Sequence, residues 1–407
     1  MKSHSRTLTE LNMGNALAFA YATLAFLTLG PYFLWFAPPY AYQLISALTI
    51  ATSIYYMLSR KKIERSVVLL VILGSLSVII RQINSDGISV WINTMILLML
   101  AFIIIGREIQ LKSFRYFVNI YVVTLLPSLA YFLLMSVGFS FPWNALESTN
   151  EGKISAGFFY REYVGMVVIH QLVFPLGNGE IFRLSGFFDE PGVIGTVSAL
   201  LIAAFWPNLG LFKRFVLVAS GILSFSLTFF ILMGVYFLFK KPALIISFAI
   251  VSALAITYLP DNIKENKLVS YYVMERLTKS VLSYSDVNNR TSVCFDIKYN
   301  DMITSENVWF GFGHGAHART SCESAGSSYR TLIYNFGIMG FAFIVAFYLA
   351  IFFKLLYSLD DLYRAVPFII VFLGAVYQRP AVDTLWLILI FIGFCLINNK
   401  RSRVVMQ

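Results

Sequence analysis

"FVLVASGILSFSLTFFILMGVYFLF", residues 215–239, can be read as one membrane-crossing helix or as two short helices turning at Ser224–Thr228, "SFSLT". The topology of the chain depends on that choice. Lysine and arginine collect in the loops on the cytoplasmic side of a membrane. The basic clusters are "RKKIER" (60–65), "REIQLKSFR" (107–115), "KR" (213–214), "KK" (240–241) and "NNKRSR" (398–403). All five share a side with the amino terminus only if 215–239 is a hairpin. A single span breaks the parity and mixes the sides. The hairpin is therefore the reading, with both termini cytoplasmic.

Composition supports a bilayer as the solvent. Of 407 residues, 58% are hydrophobic and 13% charged, with a mean hydropathy of +0.74. Soluble domains rarely carry so little charge, and disordered and nucleic-acid-binding classes fit no better. The net charge of +10 is a topology effect. With the hairpin, the cytoplasmic side holds 18 Lys/Arg against 5 Asp/Glu, and the outer side is slightly acidic. No anionic macromolecular partner is needed to explain it, and nucleic acid is not expected.

Apolar runs long enough to approach or exceed a span are expected at Gly14–Phe36, Tyr40–Leu58, Ser66–Ile80, Ile88–Ile105, Tyr116–Ser136, Val193–Trp206, Ala243–Leu259, Thr331–Phe353, Ala365–Val376 and Leu385–Ile397. With the hairpin this makes an all-α polytopic membrane protein of about 12 crossings, one membrane domain over 1–407. The first run is expected to be a retained span, because a cleavable signal has a shorter apolar region and a small-residue cleavage site. Two outer loops, about 138–191 and 260–330, are long. Long loops on a rigid scaffold often carry chemistry.

The spans are nearly free of ionisable residues, and Arg379 and Asp383 sit beside the short outer turn "YQRPAVD". Ion-coupled transporters place such groups inside the membrane, so chemistry at the outer face is favoured over transport. In "RLSGFFDEPG" (183–192), Arg183 supplies a planar fork suited to phosphate. Glu190 precedes Pro191-Gly192 at a helix start. The plain alternative is that Arg183 and Glu190 pair with each other or cap the next span. The other is a phosphate clamp opposite a general base.

The second loop adds Arg290, His314, His317 and Arg319. "GFGHG" (311–315) lacks the dinucleotide-binding spacing. His314 and His317 have no evident further metal ligands, and no D-x-D motif occurs; Asp360-Asp361 falls on the cytoplasmic side. "NRT" (289–291) matches a glycosylation acceptor, a pattern common by chance. Cys294 and Cys322 share this loop, where an oxidising compartment permits a disulfide staple. Cys395 reads as a packing residue in the last span. Gly337 and Gly340, in "SSYRTLIYNFGIMGF" (327–341), permit close helix packing.

Four features in order resemble the O-antigen polymerase and ligase superfamily of bacterial envelope enzymes: "RLSGFFDEPG", the hairpin "LSFSLTFF", Arg290 followed by "VWFGFGHG", and "YRTLIYNFGIMGF". The resemblance covers roughly residues 180–345. It implies a helical membrane glycosyltransferase of the C type, taking glycan from undecaprenyl diphosphate at the periplasmic face of the inner membrane. It implies no metal and no cofactor, with membrane lipids and a chain-length regulator protein as partners. Arg183, Arg290 and Arg319 would hold the diphosphate, Glu190 would orient or deprotonate the acceptor hydroxyl, and His314 is the next catalytic candidate. Ligases resemble a pattern of His, then Asn, Ser or Gln, nine residues and G-x-x-G. Counting back from Gly337 puts Ser327 in the second position and Gly326 where histidine should stand. A polymerase is therefore favoured over a ligase, and a lipid-linked polysaccharide transporter is the rival from another class.

Overall fold

The long apolar runs form helices that pack side by side, with their polar connections gathered at the ends. The computed structural model describes residues 2–60, 65–84, 90–148, 154, 157–243, 247, 291–320, 322, 328–356 and 359–398. Arg290, Gly326, Ser327 and most of the expected span Ala243–Leu259 lie outside the described residues. So does most of "NRT".

Helix α1 (Lys2–Leu27) ends well before the expected Phe36. Gly30, with φ +71°, and Pro31 stop it, because proline cannot donate to a continuing helix. The chain then bridges to Phe188, and the Tyr32 N–H donates to Phe187 O at 2.7 Å. Helices α2 (Pro39–Arg60), α3 (Arg65–Gln82) and α4 (Val90–Ile104) follow the expected runs closely. Helix α5 (Arg107–Ser136) starts nine residues before the apolar run, since "REIQLKSFR" is itself helical.

The segment 138–190 corrects the all-α expectation. It contains β1 (Asn144–Glu147), β2 (Phe159–Tyr163) and β3 (Met166–Ile169) in one antiparallel sheet. A hairpin of β4 (Val173–Leu176) and β5 (Gly179–Phe182) follows. Short extended runs such as "FFYREYVGMVVI" were hidden by the dominance of helical hydrophobicity elsewhere. Arg161 clamps the two parts, with Nη1 2.9 Å from Glu180 Oε2 and Nε 2.9 Å from His170 Nδ1.

Helix α6 (Pro191–Phe205) follows, then α7 (Leu211–Leu223) and α8 (Leu227–Lys240), which form the expected hairpin. Phe225 takes a left-handed φ of +45° at the turn. The last turn of α7 would leave carbonyls unpaired, and the first part of "RLSGFFDEPG" supplies their donors. Leu184 N–H reaches Leu223 O at 3.0 Å, and Arg183 Nε reaches Ser224 O at 3.1 Å. After α9 (Val293–Ile303) come α10 (Tyr329–Leu355), α11 (Leu359–Gln378) and α12 (Leu385–Asn398).

Helices α12 and α6 are apolar on every face and buried nearly throughout, so they form the centre of the bundle. In contrast, α2 leaves Leu44, Leu48, Tyr55 and Leu58 exposed, and α10 leaves Leu349 and Phe353 exposed. Such faces suit lipid better than water. Five helical segments are long and apolar enough to cross a membrane: Tyr40–Ser59, Arg107–Ser136, Pro191–Asn208, Tyr329–Leu355 and Asp361–Gln378. Four apolar segments are shorter, including Leu227–Lys240 and Leu385–Asn398. Length and composition among the described residues thus reach fewer crossings than the dozen expected.

Candidate functional site

One end of the bundle collects the end of α1, the start of α6, the segment 309–319, the start of α10 and the α11–α12 turn. Between them lies a cavity of about 390 Å³. Its polar lining includes Thr28, His314, His317, Asn335, Arg379 and Asp383; its apolar lining includes Val193, Val197, Phe336 and Trp386.

The histidines reach this cavity through a backbone interlock. Helix α10 breaks at Gly337, where φ is +65° and ψ −178°. The break frees backbone groups, and "WFGFG" (309–313) pairs with them. Phe312 N–H donates to Tyr334 O (3.0 Å), Gly313 N–H donates to Asn335 O (2.9 Å), and Met339 N–H donates to Trp309 O (3.1 Å). Asn84 Nδ2 donates to Gly311 O at 3.0 Å, tying the end of α3 to the same strap. A Cβ at Gly337 would stand 2.3 Å from Trp309 C and O, and one at Gly311 would stand 2.5 Å from Asn335 C and O. Only glycine permits that approach together with a positive φ. Two motifs distant in sequence are therefore the two faces of one contact.

The strap places His314 against Phe336, with ring centroids 5.8 Å apart. Burial pushes the His314 pKa below that of an ordinary imidazole; Asp383 pulls it up, while His317 and Arg81 push it down. His317 is also lowered by burial, opposed by its hydrogen bond to Asn335. Asn335 Oδ1 accepts from the His317 backbone N–H at 3.0 Å, and its Nδ2 lies 2.9 Å from His317 Nδ1. Both rings are therefore neutral near pH 7, a state in which an imidazole can take a proton.

Two ion pairs border the cavity. Arg81, at the end of α3, pairs with Asp383 at the approach to α12. Its Nε and Nη2 also donate to Ser77, and its guanidinium carbon lies 5.3 Å from the Phe336 ring centre. Arg379, at the end of α11, pairs with Glu190. Glu190 occupies the N-cap position of α6, yet its side chain makes no cap hydrogen bond and turns to Arg379 instead.

The expected site residues separate accordingly. His314 lines the cavity. Glu190 reaches it through Arg379, which lines it where Glu190 does not. Arg183 closes the end of α7, whereas Glu190 meets Arg379. Arg319 is exposed and does not line the cavity, with Nη2 3.4 Å from His314 O. Cys294 and Cys322 are disulfide-bonded, with Cα atoms 5.7 Å apart, and so hold α9 to the end of the strap. Sequence reasoning placed Arg379 and Asp383 near the outer turn without giving them partners, and it passed over Arg81 and Asn335. A charged residue closing an apolar helix was the available signal for Arg81.

No protein-family model matches this chain, and no curated protein matches it either.

Proposed function

We propose that this protein is a membrane glycosyltransferase of the O-antigen polymerase type. In this reading it joins undecaprenyl-diphosphate-linked oligosaccharide repeat units at the periplasmic face of the bacterial inner membrane. The observation that carries the reading is the cavity itself, where a neutral imidazole (His314), an arginine (Arg379), a carboxylate (Asp383) and an amide (Asn335) share one space at the bundle end. In the reaction, an acceptor sugar hydroxyl oxygen attacks the anomeric carbon of the donor glycan. The bond from that carbon to the diphosphate oxygen breaks, and the lipid diphosphate leaves with the bonding electrons. His314 takes the hydroxyl proton, and guanidinium groups meet the charge growing on the leaving group. Arg183, Arg319 and Arg290 remain candidates for that second duty through the resemblance.

The test is chain extension by purified protein in lipid nanodiscs, supplied with lipid-linked repeat units and no ion gradient. A glycan ladder is expected, and His314→Gln should slow it by roughly 100-fold. A wild-type protein that never lengthens glycan under these conditions would remove the reading. One observation favours a ligase as the second reading: His314 and His317 reach the first turns of α10 by the strap, although the ligase position next to Ser327 holds glycine. The lipopolysaccharide of a deletion strain separates the two. Loss of a polymerase leaves one repeat on core, and loss of a ligase leaves none.

A further inference from the structure

Arginines near the cavity differ in how much of their hydrogen-bonding capacity is committed. A guanidinium has five N–H donors and no acceptor. Arg81 spends its donors on Asp383 and on both oxygens of Ser77. Arg183 closes the carbonyl end of α7 and does not line the cavity. Arg319 is exposed and does not line it either. Arg379 alone among the described arginines lines the cavity, and Glu190, through Nη2, is its one side-chain partner among the described residues. Its Nε and Nη1 carry no hydrogen bond among the described residues, and the residue lines the cavity.

Local structure holds that guanidinium in place. Gly192 lies in the first turn of α6, and a Cβ there would come within 3.0 Å of Arg379 Nη2. The absent side chain leaves the guanidinium room to lie across the helix start. Glu190 forgoes its own capping bond to hold one edge. An arginine fixed on one edge presents the other as a preorganised fork, which matches the non-bridging oxygens of a phosphate group. Leu29, Val193, Val197 and Trp386 line the same cavity, and that apolar wall favours a phosphate carried on an amphiphile.

We infer that Arg379 is the guanidinium through which this cavity grips a diphosphate-bearing amphiphile, and that Glu190 is its positioning residue. The inference deepens the function proposed above and rests on it for the natural ligand. Glu190 then takes no proton in the reaction. It fixes the fork, and the base is elsewhere.

Full-length protein in nanodiscs, titrated calorimetrically with farnesyl diphosphate and with inorganic pyrophosphate, tests this directly. Arg379→Ala should weaken binding of farnesyl diphosphate by about 10-fold or more, the usual scale for a hydrogen bond to a charged group. Arg379→Lys keeps the charge without the fork and should lose nearly as much, which separates recognition from loss of fold. Glu190→Gln should weaken binding by a smaller factor, raise the donor KM and leave the pH profile of kcat unmoved. Glu190→Ala added to Arg379→Ala should cost nothing further. Pyrophosphate should bind more weakly than farnesyl diphosphate, and the reverse order would overturn the amphiphile. Wild-type affinity in Arg379→Ala overturns the inference. So does a Glu190→Gln protein with normal binding and a 100-fold loss of kcat, which would return Glu190 to the role of base. The two ideas fail separately. Protein that binds farnesyl diphosphate through Arg379 but never extends glycan sinks only the polymerase. A working polymerase indifferent to Arg379 in binding sinks only this inference.

Discussion

Two arginine–carboxylate pairs flank one cavity and differ in what surrounds them. The Arg81–Asp383 pair is the more enclosed, with side chains 10% and 24% exposed, against 22% and 39% for Arg379–Glu190. Arg81 is further held by Ser77 and lies over Phe336. Arg379 has Glu190 as its one side-chain hydrogen-bond partner among the described residues and lines the cavity. The difference teaches that an ion pair's role follows from its unused donors. A pair with all three guanidinium nitrogens engaged fixes helices to one another, whereas one held through a single nitrogen remains available to a ligand.

The enclosed side should break first under mutation. Gly337→Ala forces a Cβ into the Trp309 backbone at a left-handed φ, and a loss of more than about 4 kcal/mol is expected. Thermal unfolding in detergent would show it as loss of the folded fraction. Arg81→Ala leaves Asp383 without its cation in a largely enclosed site, and about 3 kcal/mol of destabilisation is expected in the same assay. Reduction of Cys294–Cys322, which closes a separation of 28 residues, should cost about 3 kcal/mol, a shift similar to that of Arg81→Ala. Arg379→Ala should move stability by about 1 kcal/mol, because a pair partly open to solvent contributes little. If Arg379→Ala proved as destabilising as Arg81→Ala, the distinction between the pairs would collapse.

pH sharpens the same comparison on the open side. Burial lowers the His314 and His317 pKa values below the ordinary imidazole value of about 6.5. The folded protein therefore binds fewer protons than the unfolded chain just below that pH. The contribution of these rings to stability is present above about pH 6.5 and is lost as pH falls through their lowered values. Turnover dependent on neutral His314 should likewise persist at pH 6.5 and fall in more acidic buffer. A kcat profile whose acidic limb stayed unchanged in His314→Gln would assign the base to another group.

Much of the candidate site was legible as residue types and little of it as partnerships. His314 could be named from "GFGHG", and Glu190 from its place before Pro-Gly. That Glu190 turns to Arg379, 189 residues away, has no local signal, because a carboxylate beside a helix start reads equally as a cap. Arg183 shows the converse. Its fork suggested phosphate, but the hairpin turn of α7 and α8 exposes carbonyls that only the assembled fold brings to it. The strands of 144–182 were missed for a different reason: runs of four or five residues give too short a period to stand out beside long apolar helices.

Sequence alone marked the long apolar helices of this protein and the hairpin at 215–239. Hydrophobic content and the distribution of basic residues are sums along the chain, and they need no partner to be read. It named Gly337 only as a helix-packing glycine, and the break it makes in α10, with φ +65° against the Trp309 backbone, is visible only in the fold. Tertiary structure decided which motifs meet. Gly311 and Gly337 serve one interlock because a broken helix must find donors and acceptors for its freed backbone groups. Arg379 lines the cavity while Arg81 is held by Asp383 and Ser77 outside its lining, because enclosure and the count of nearby acceptors are properties of three dimensions.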